Sequence, residues 1–169
     1  KEKGIDELFY AVRHLKKENE NFVLDLVGFF EDEYKEQVKE LEKHSIAHFY
    51  GFQSDPRPFY IEADCVVLPS YHEGMSNVLL EAAATGRPVV TSNIPGCRES
   101  VENGKSGLLV EVKNKEMLYD AMKEMLHCSR EEREQMGQAG REKMEREFRK
   151  EVVVEKTVQS LRGDEKRDF

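Results

Sequence analysis

Apolar positions along this chain switch repeatedly between two periods. Ile5, Leu8, Phe9, Val12 and Leu15 recur at three- and four-residue spacings, which predicts an amphipathic helix from about Gly4 to Glu18. The segment Phe22-Val-Leu-Asp-Leu-Val-Gly28 reads instead as a buried strand ending in glycine. A charged helix is expected over about Asp32 to His44, followed by a strand from Ala47 to Tyr50 that stops at Gly51. After the turn Ser54-Asp-Pro-Arg-Pro58 come a short helix to Glu62 and the apolar strand Asp64 to Leu68, closed by Pro69. A helix at about Ser76 to Thr85 precedes strands at Pro88 to Thr91 and Gly107 to Val110. Beyond Asn114 only helices are expected, at about Lys115 to Cys128, Arg130 to Glu147 and Lys150 to Leu161, with Arg162 to Phe169 as a frayed tail.

Runs such as Cys65-Val-Val-Leu68 and Val89-Val90 lack polar alternation, so their strands are expected to be covered on both faces, as in parallel sheets flanked by helices. The expected fold class is therefore α/β: a Rossmann-like, doubly wound parallel sheet followed by C-terminal helices, with residues 1–161 as one domain. A length of 169 residues suits one domain.

Charge and composition then narrow the function. With 26 Lys plus Arg against 34 Asp plus Glu, the net charge is −8, and the basic residues are scattered, which argues against a nucleic-acid or anionic-membrane surface. No apolar stretch approaches the roughly 20 residues of a membrane-spanning helix, and Lys1-Glu2-Lys3-Gly4 has no signal-peptide hydrophobic region. Cys65, Cys97 and Cys128 are odd in number and widely separated, so neither a disulfide framework nor a zinc site is indicated and a cytoplasmic location is expected. A chain that opens without Met and runs directly into structured-looking sequence is expected to be part of a longer one.

In an open parallel sheet, ligands bind beyond the carboxyl ends of the strands, which points to the loops after Val27, Tyr50, Leu68 and Val90. The most informative is Pro69-Ser-Tyr-His-Glu-Gly-Met-Ser-Asn-Val-Leu-Leu-Glu81, where a glycine loop enters a helix between two carboxylates. With a helix start near Ser76 or Asn77, the N–H groups of about Ser76, Asn77 and Val78 form a positive end able to hold a pyrophosphate. Glu73 precedes that end and Glu81 follows it by about a turn, and carboxylates accept hydrogen bonds from vicinal hydroxyls. This set suits a sugar–pyrophosphate–ribose ligand, whereas bare phosphate recognition disfavours two acids.

These residues resemble those of a known family, the retaining glycosyltransferases of the GT-B fold in glycosyltransferase group 1, or family 4. Glu73 and Glu81 match its E-x7-E motif, and Phe49-x-Gly51, Ala63-Asp64, Leu68-Pro69-Ser70, Glu73-Gly74, Glu81-Ala82, Gly86-x-Pro88-Val89, Gly96-x-x-Glu99 and Gly104-x-x-Gly107-Leu108-Leu109 fall in the family's order and spacing over residues 3 to 150. The resemblance implies the C-terminal, donor-binding half of such an enzyme, the N-terminal acceptor domain lying outside this chain. It implies that Glu73 lies near the donor sugar, that Glu81 binds the ribose hydroxyls, and that Gly74, Met75, Ser76, Asn77 and Val78 supply donors to the diphosphate. Lys3 matches the lysine that neutralises the leaving diphosphate, Glu73 and Lys3 forming the catalytic set. The family's arginine partner of that lysine would precede residue 1.

The implied reaction is transfer from a nucleotide-diphosphate sugar, by default a UDP-sugar, to an acceptor such as a growing polysaccharide or glycolipid, with no metal and no cofactor beyond the donor. Fixed cationic and N–H donors would stabilise the charge on the departing phosphate. Alternative readings are a noncatalytic nucleotide-binding or interaction module, or a GT-B nucleotide-sugar epimerase relative. The longer protein is expected in the cytoplasm or at the inner membrane face.

Other residues carry plainer readings. Taken alone, two glutamates eight apart describe a solvated helix face; their context favours a ligand. His72 reads as a loop residue rather than a base, and His14, His44, His48 and His127 lack metal-ligand spacing. Phe52 faces two alternatives, contact with a nucleobase or core packing. Gly28-Phe29-Phe30 stands where the family often has Gly-x-Gly. Met117, Leu118, Ala121, Met122 and Met125 read as a core stripe, and Val152, Val153, Val154, Val158 and Leu161 as a partly exposed face that would meet the acceptor domain.

Overall fold

Among the described residues five strands are present, as the alternation predicts, but they pair, in parallel, in two groups. The computed structural model describes residues 2–29 and 32–162. Strands β1 (Leu24–Val27) and β2 (Ala47–Gly51) pair with each other. Strands β3 (Val66–Leu68), β4 (Val89–Ser92) and β5 (Gly107–Val110) form the second group with β4 in the middle. The helices are α1 (Ile5–Lys17), α2 (Lys35–Lys43), α3 (Arg57–Glu62), α4 (Asn77–Ala84), α5 (Lys115–His127), α6 (Arg130–Glu147) and α7 (Lys150–Arg162). Among the described residues no helix is long and apolar enough to cross a membrane.

One core joins the two strand groups. Phe9, Val12 and Leu15 of α1, Val38 and Leu41 of α2, and Leu118, Met122 and Met125 of α5 are buried together with Val90 and Val110, and Leu24, Leu26 and Phe49 pack against them. A second cluster, Leu79, Ala82, Val89, Cys97 and Val101, lies with α4. Val89 and Val90 belong to different clusters, so β4 is covered on both faces and all four of its residues are buried. Here the unbroken apolar run means what it predicts.

The expectation of a fully buried strand over Phe22 to Gly28 is corrected. β1 alternates, with Leu24 and Leu26 turned to the core while Val23 and Val27 are 59% and 39% exposed. The core containing α1 and α2 takes only one side of β1, so apolar residues on its other side stay in solvent. Within the core stripe of α5, Leu118, Ala121, Met122 and Met125 are buried, but Met117 is 38% exposed and its thioether accepts from the Glu111 N–H at 3.3 Å.

The C-terminal helices begin where cap chemistry dictates. Asn114 accepts from the Met117 N–H at 2.9 Å, and Ser129 and Glu132 form a reciprocal capping box at the head of α6. α6 packs closely against the turn that ends α4 because Gly137 leaves room there: a Cβ on it would fall 1.9 Å from the Gly86 carbonyl oxygen. α7 has no buried residue, and Val153, Val154, Val158 and Leu161 stand exposed along it. The helix continues one residue past the predicted Leu161, to Arg162, a shift within ordinary end fraying. The remainder of the predicted tail, 163–169, lies outside the described residues.

Candidate functional site

Within each group the strands are parallel, so the loops after β1 and β2 leave at one end of their pair and those after β3 and β4 at one end of theirs. Lys3 links the two by pairing with Glu73 beside a cavity lined by Leu26, Gly28 and Phe29. The loop after β3 is the best anchored. The Tyr71 N–H donates to the Glu2 carbonyl at 2.8 Å, and the Tyr71 hydroxyl donates to Glu7 at 2.6 Å. Burial, with Glu7 adding to it, raises the Tyr71 hydroxyl far above its ordinary value, which keeps it a donor. Gly4 takes φ +67, and a Cβ there would lie 2.1 Å from the Pro69 carbonyl oxygen. Only glycine allows this approach, and it places the preceding residue, Lys3, over the loop.

Lys3 Nζ donates to Glu73 Oε1 at 2.6 Å, across 70 positions of sequence. The glutamate side chain is 14% exposed and that of the lysine 58%, so the carboxylate is recessed and the ammonium reaches it from solvent. A cavity of about 120 Å³ adjoins Lys3 and extends to Leu26, Gly28, Phe29 and Phe49. A larger, open depression of about 470 Å³ lies between Met75, Glu99 and helices α6 and α7, and neither Lys3 nor Glu73 lines it.

The Glu73–Ser76 loop is also gripped by the loop after β4. The Ser76 N–H donates to the Gly96 carbonyl at 3.0 Å, and the Gly96 N–H donates to the Glu99 carboxylate at 2.7 Å. Gly96 has φ +86, and a Cβ on it would fall 1.7 Å from the Gly74 carbonyl oxygen and 2.6 Å from that of Glu73. Beneath this interlock lies Cys97, fully buried, its thiol pushed up by burial and further by the charges of Glu73 and Glu99. The Ser70 and Ser92 hydroxyls, at the carboxyl ends of β3 and β4, are buried without a hydrogen-bond partner.

Helix α4 starts at Asn77 with Ser76 as N-cap residue, and its first intrahelical bond runs from Leu80 N–H to the Ser76 carbonyl at 3.1 Å. Of the three N–H groups expected to face a ligand, that of Ser76 is engaged by Gly96; those of Asn77 and Val78 lie in the first turn, without an intrahelical acceptor. Asn77, Val78, Gly74 and Met75 are exposed, as is Glu81 one turn on. Tyr60, 7% exposed, lies against Glu81; burial and then the glutamate's charge and hydrogen bond push its hydroxyl up to about 12. Tyr60 thus stands beside Glu81 as a donor, a pairing that the apolar setting of its helix does not advertise.

Phe52 is 61% exposed, which removes the core-packing alternative. Its ring stacks on that of Phe29, itself 86% exposed, at 4.8 Å and 11° between planes. The pair joins the loops after β1 and β2 at the same end as Glu73. Phe29 is a candidate that sequence reading missed, because Gly28-Phe29-Phe30 departs from the Gly-x-Gly of the resembled family and its partner ring, Phe52, is distant in the chain. His72 is exposed, as expected of a loop residue. Among the described residues no group of three or more His, Cys, Asp or Glu side chains is arranged to hold a metal ion.

The chain is an α/β domain of parallel strands in which two acids flank a helix start and a lysine pairs with the first of them. Residues 1–143 match the model of the glycosyl transferases group 1 family, and the chain belongs to that family. It is 28% identical over 158 residues to the capsular polysaccharide biosynthesis glycosyltransferase CapM of Staphylococcus aureus, covering 92% of this chain and 41% of that protein. A Campylobacter jejuni N,N'-diacetylbacillosaminyl-diphospho-undecaprenol alpha-1,3-N-acetylgalactosaminyltransferase is 36% identical over 112 residues, 66% of this chain and 29% of that one. Sucrose-phosphate synthase from Thermosynechococcus elongatus superposes with a TM-score of 0.81 at 27% identity, covering 96% of this chain and 42% of that chain. The chain thus spans less than half the length of these relatives.

Proposed function

We propose that this chain is the donor-binding half of a retaining glycosyltransferase, and that it holds a nucleotide-diphosphate sugar at the carboxyl ends of its strands. The observation that carries the reading is the convergence of Lys3, Glu73 and the α4 helix start, held together by backbone contacts to Gly4 and Gly96. In this reading the N–H groups of Asn77 and Val78 and the Lys3 ammonium face the diphosphate, where negative charge grows as the glycosidic bond breaks. Donors fixed in advance stabilise that charge more in the transition state than in the ground state. Glu73 accepts from sugar hydroxyls, Glu81 accepts from the ribose hydroxyls, and the Phe29–Phe52 pair offers a ring surface to the base. Neutralisation by Lys3 and N–H groups assigns no step to a metal.

UDP is the first nucleoside diphosphate to test, since proteins that share this fold, such as Anabaena HepE at 18% identity and a TM-score of 0.71, have been solved with it. The acceptor would be a polysaccharide or lipid-linked precursor, as the name of CapM suggests, met mainly by another domain in the longer protein. The deciding experiment is calorimetric titration of residues 1–169 with UDP, GDP, ADP and UDP-sugars, repeated on Glu81→Ala. One diphosphate should bind, about 10- to 150-fold more weakly in the variant, for the loss of a charged hydrogen-bonding group worth about 1.5–3 kcal/mol. Binding of none by the folded wild-type chain would refute the donor-site reading.

A further inference from the structure

The Lys3–Glu73 pair poses a question that donor binding alone does not answer. Lys3, the cation paired with Glu73, already holds a recessed carboxylate at 2.6 Å. Both partners are fixed at the backbone: Lys3 by Gly4 against Pro69 and by the Glu2 carbonyl on Tyr71, Glu73 by the Gly96 interlock. Any diphosphate that reaches the ammonium must therefore share it with Glu73.

Resting on the donor-site reading above, we infer that Glu73 discriminates between the nucleotide-sugar and the bare nucleoside diphosphate, favouring the donor and expelling the product. An ammonium has three N–H donors but a single positive charge. A bare nucleoside diphosphate brings a terminal phosphate that is largely doubly charged near pH 7, since its second pKa is about 6. It has no hydroxyl beyond that phosphate to offer Glu73, so carboxylate and phosphate compete for one cation and repel each other. A nucleotide-sugar carries one charge fewer on that phosphate, and its sugar hydroxyls donate to the carboxylate in charge-assisted hydrogen bonds. The same acid thus opposes one ligand and attracts the other. After transfer the hydroxyls leave with the sugar, and the Glu73–Lys3 pair is free to re-form against the departing diphosphate.

The test is calorimetric titration of residues 1–169, wild type and Glu73→Gln, with UDP and with UDP-glucose, or with GDP and GDP-mannose should only the guanine nucleotide bind. The amide keeps the shape of the side chain and removes its charge. Glu73→Gln should bind the diphosphate about fivefold more tightly, the scale of a partly exposed ion pair, and the nucleotide-sugar about fivefold more weakly. The gain should shrink as NaCl rises from about 0.05 M to about 0.5 M, because screening weakens charge repulsion. A Glu73→Gln chain of wild-type melting temperature that binds the diphosphate no more tightly, or whose gain ignores salt, would overturn the inference. If wild type binds the diphosphate and Glu81→Ala weakens it while Glu73→Gln gives no gain, this inference fails alone. If wild type binds neither ligand, the donor-site reading fails and takes this one with it.

Discussion

Replacing Gly96 with alanine disturbs the Glu73–Ser76 loop without substituting a charged group. Two costs are readable from the structure. The first is conformational: Gly96 sits at φ +86, where an L-residue loses about 1–2 kcal/mol. The second is steric: the new methyl would lie 1.7 Å from the Gly74 carbonyl oxygen, and real contacts essentially never fall under 3.0 Å, so one loop must move by about 1.3 Å. Overpacking of this kind costs about 1–3 kcal/mol, and the movement strains the Ser76-to-Gly96 and Gly96-to-Glu99 hydrogen bonds, each worth about 1 kcal/mol. With both hydrogen bonds lost the total is about 4–7 kcal/mol. At roughly 2–4 °C per kcal/mol for a domain of this size, melting should fall by about 8–28 °C. Gly104→Ala is the matched control, since Gly104 has φ +75 but nothing within 4 Å of a Cβ. It should bear only the conformational cost, about 2–8 °C, and retain nucleoside-diphosphate affinity. Gly96→Ala should also lose affinity by about tenfold or more in calorimetry below its melting range, because displacing a ligand-facing loop by about 1 Å is expensive. Equal melting temperatures for the two variants, or unaltered affinity in Gly96→Ala, would refute the claim that the two loops interlock by close approach.

Two further outcomes follow from other parts of the molecule. Phe29→Ala and Phe52→Ala should each weaken nucleoside-diphosphate binding by about tenfold, the scale of base–aromatic stacking, while competition by inorganic pyrophosphate is unchanged; equal losses for both ligands in calorimetry would show that the rings act on loop structure rather than on a base. Glu102 is held below its ordinary value by the hydrogen bond from Lys105 and next by Arg146 of α6. A depressed folded-state pKa contributes stability above the unfolded value that is lost as pH falls through the folded one, so melting temperature should drop between about pH 5 and pH 3. The Lys105→Ala/Arg146→Ala double variant should flatten that drop, and an unchanged acid profile in differential scanning calorimetry would remove Glu102 from the account.

What the chain discloses in one dimension depends on whether the cause is local. Helix α6 is legible because Ser129 and Glu132 close its own first turn, and β4 because apolar Val89 and Val90 need cover on both sides. The burial of β1 is misjudged from sequence because coverage of a strand depends on how many helices return to it, which Phe22 to Gly28 does not encode; one face has a core and the other has water. Glu73 and Glu81 are singled out as candidates by their motif context about a helix start, since their spacing alone describes a solvated helix face. Tyr60 and Phe29 are not singled out, since each meets a partner brought near by the fold rather than by the chain.

The same distinction explains why two small residues matter as much to this site as its charged ones. Lys3 and Glu73 lie 70 positions apart, and the flexible side chain of a lysine 58% exposed would visit many rotamers if its backbone were free. Gly4 removes that freedom by letting the chain press against Pro69, and Gly96 removes it on the opposite side by admitting the Gly74 carbonyl. A pairing made by two long side chains alone is worth little at a surface. Made by two anchored backbones, it holds one cation and one carboxylate at a fixed separation, which is the condition under which a single negative charge can favour a sugar-bearing ligand over its bare diphosphate. The glycines therefore supply the preorganisation, and the acid and the lysine supply the sign.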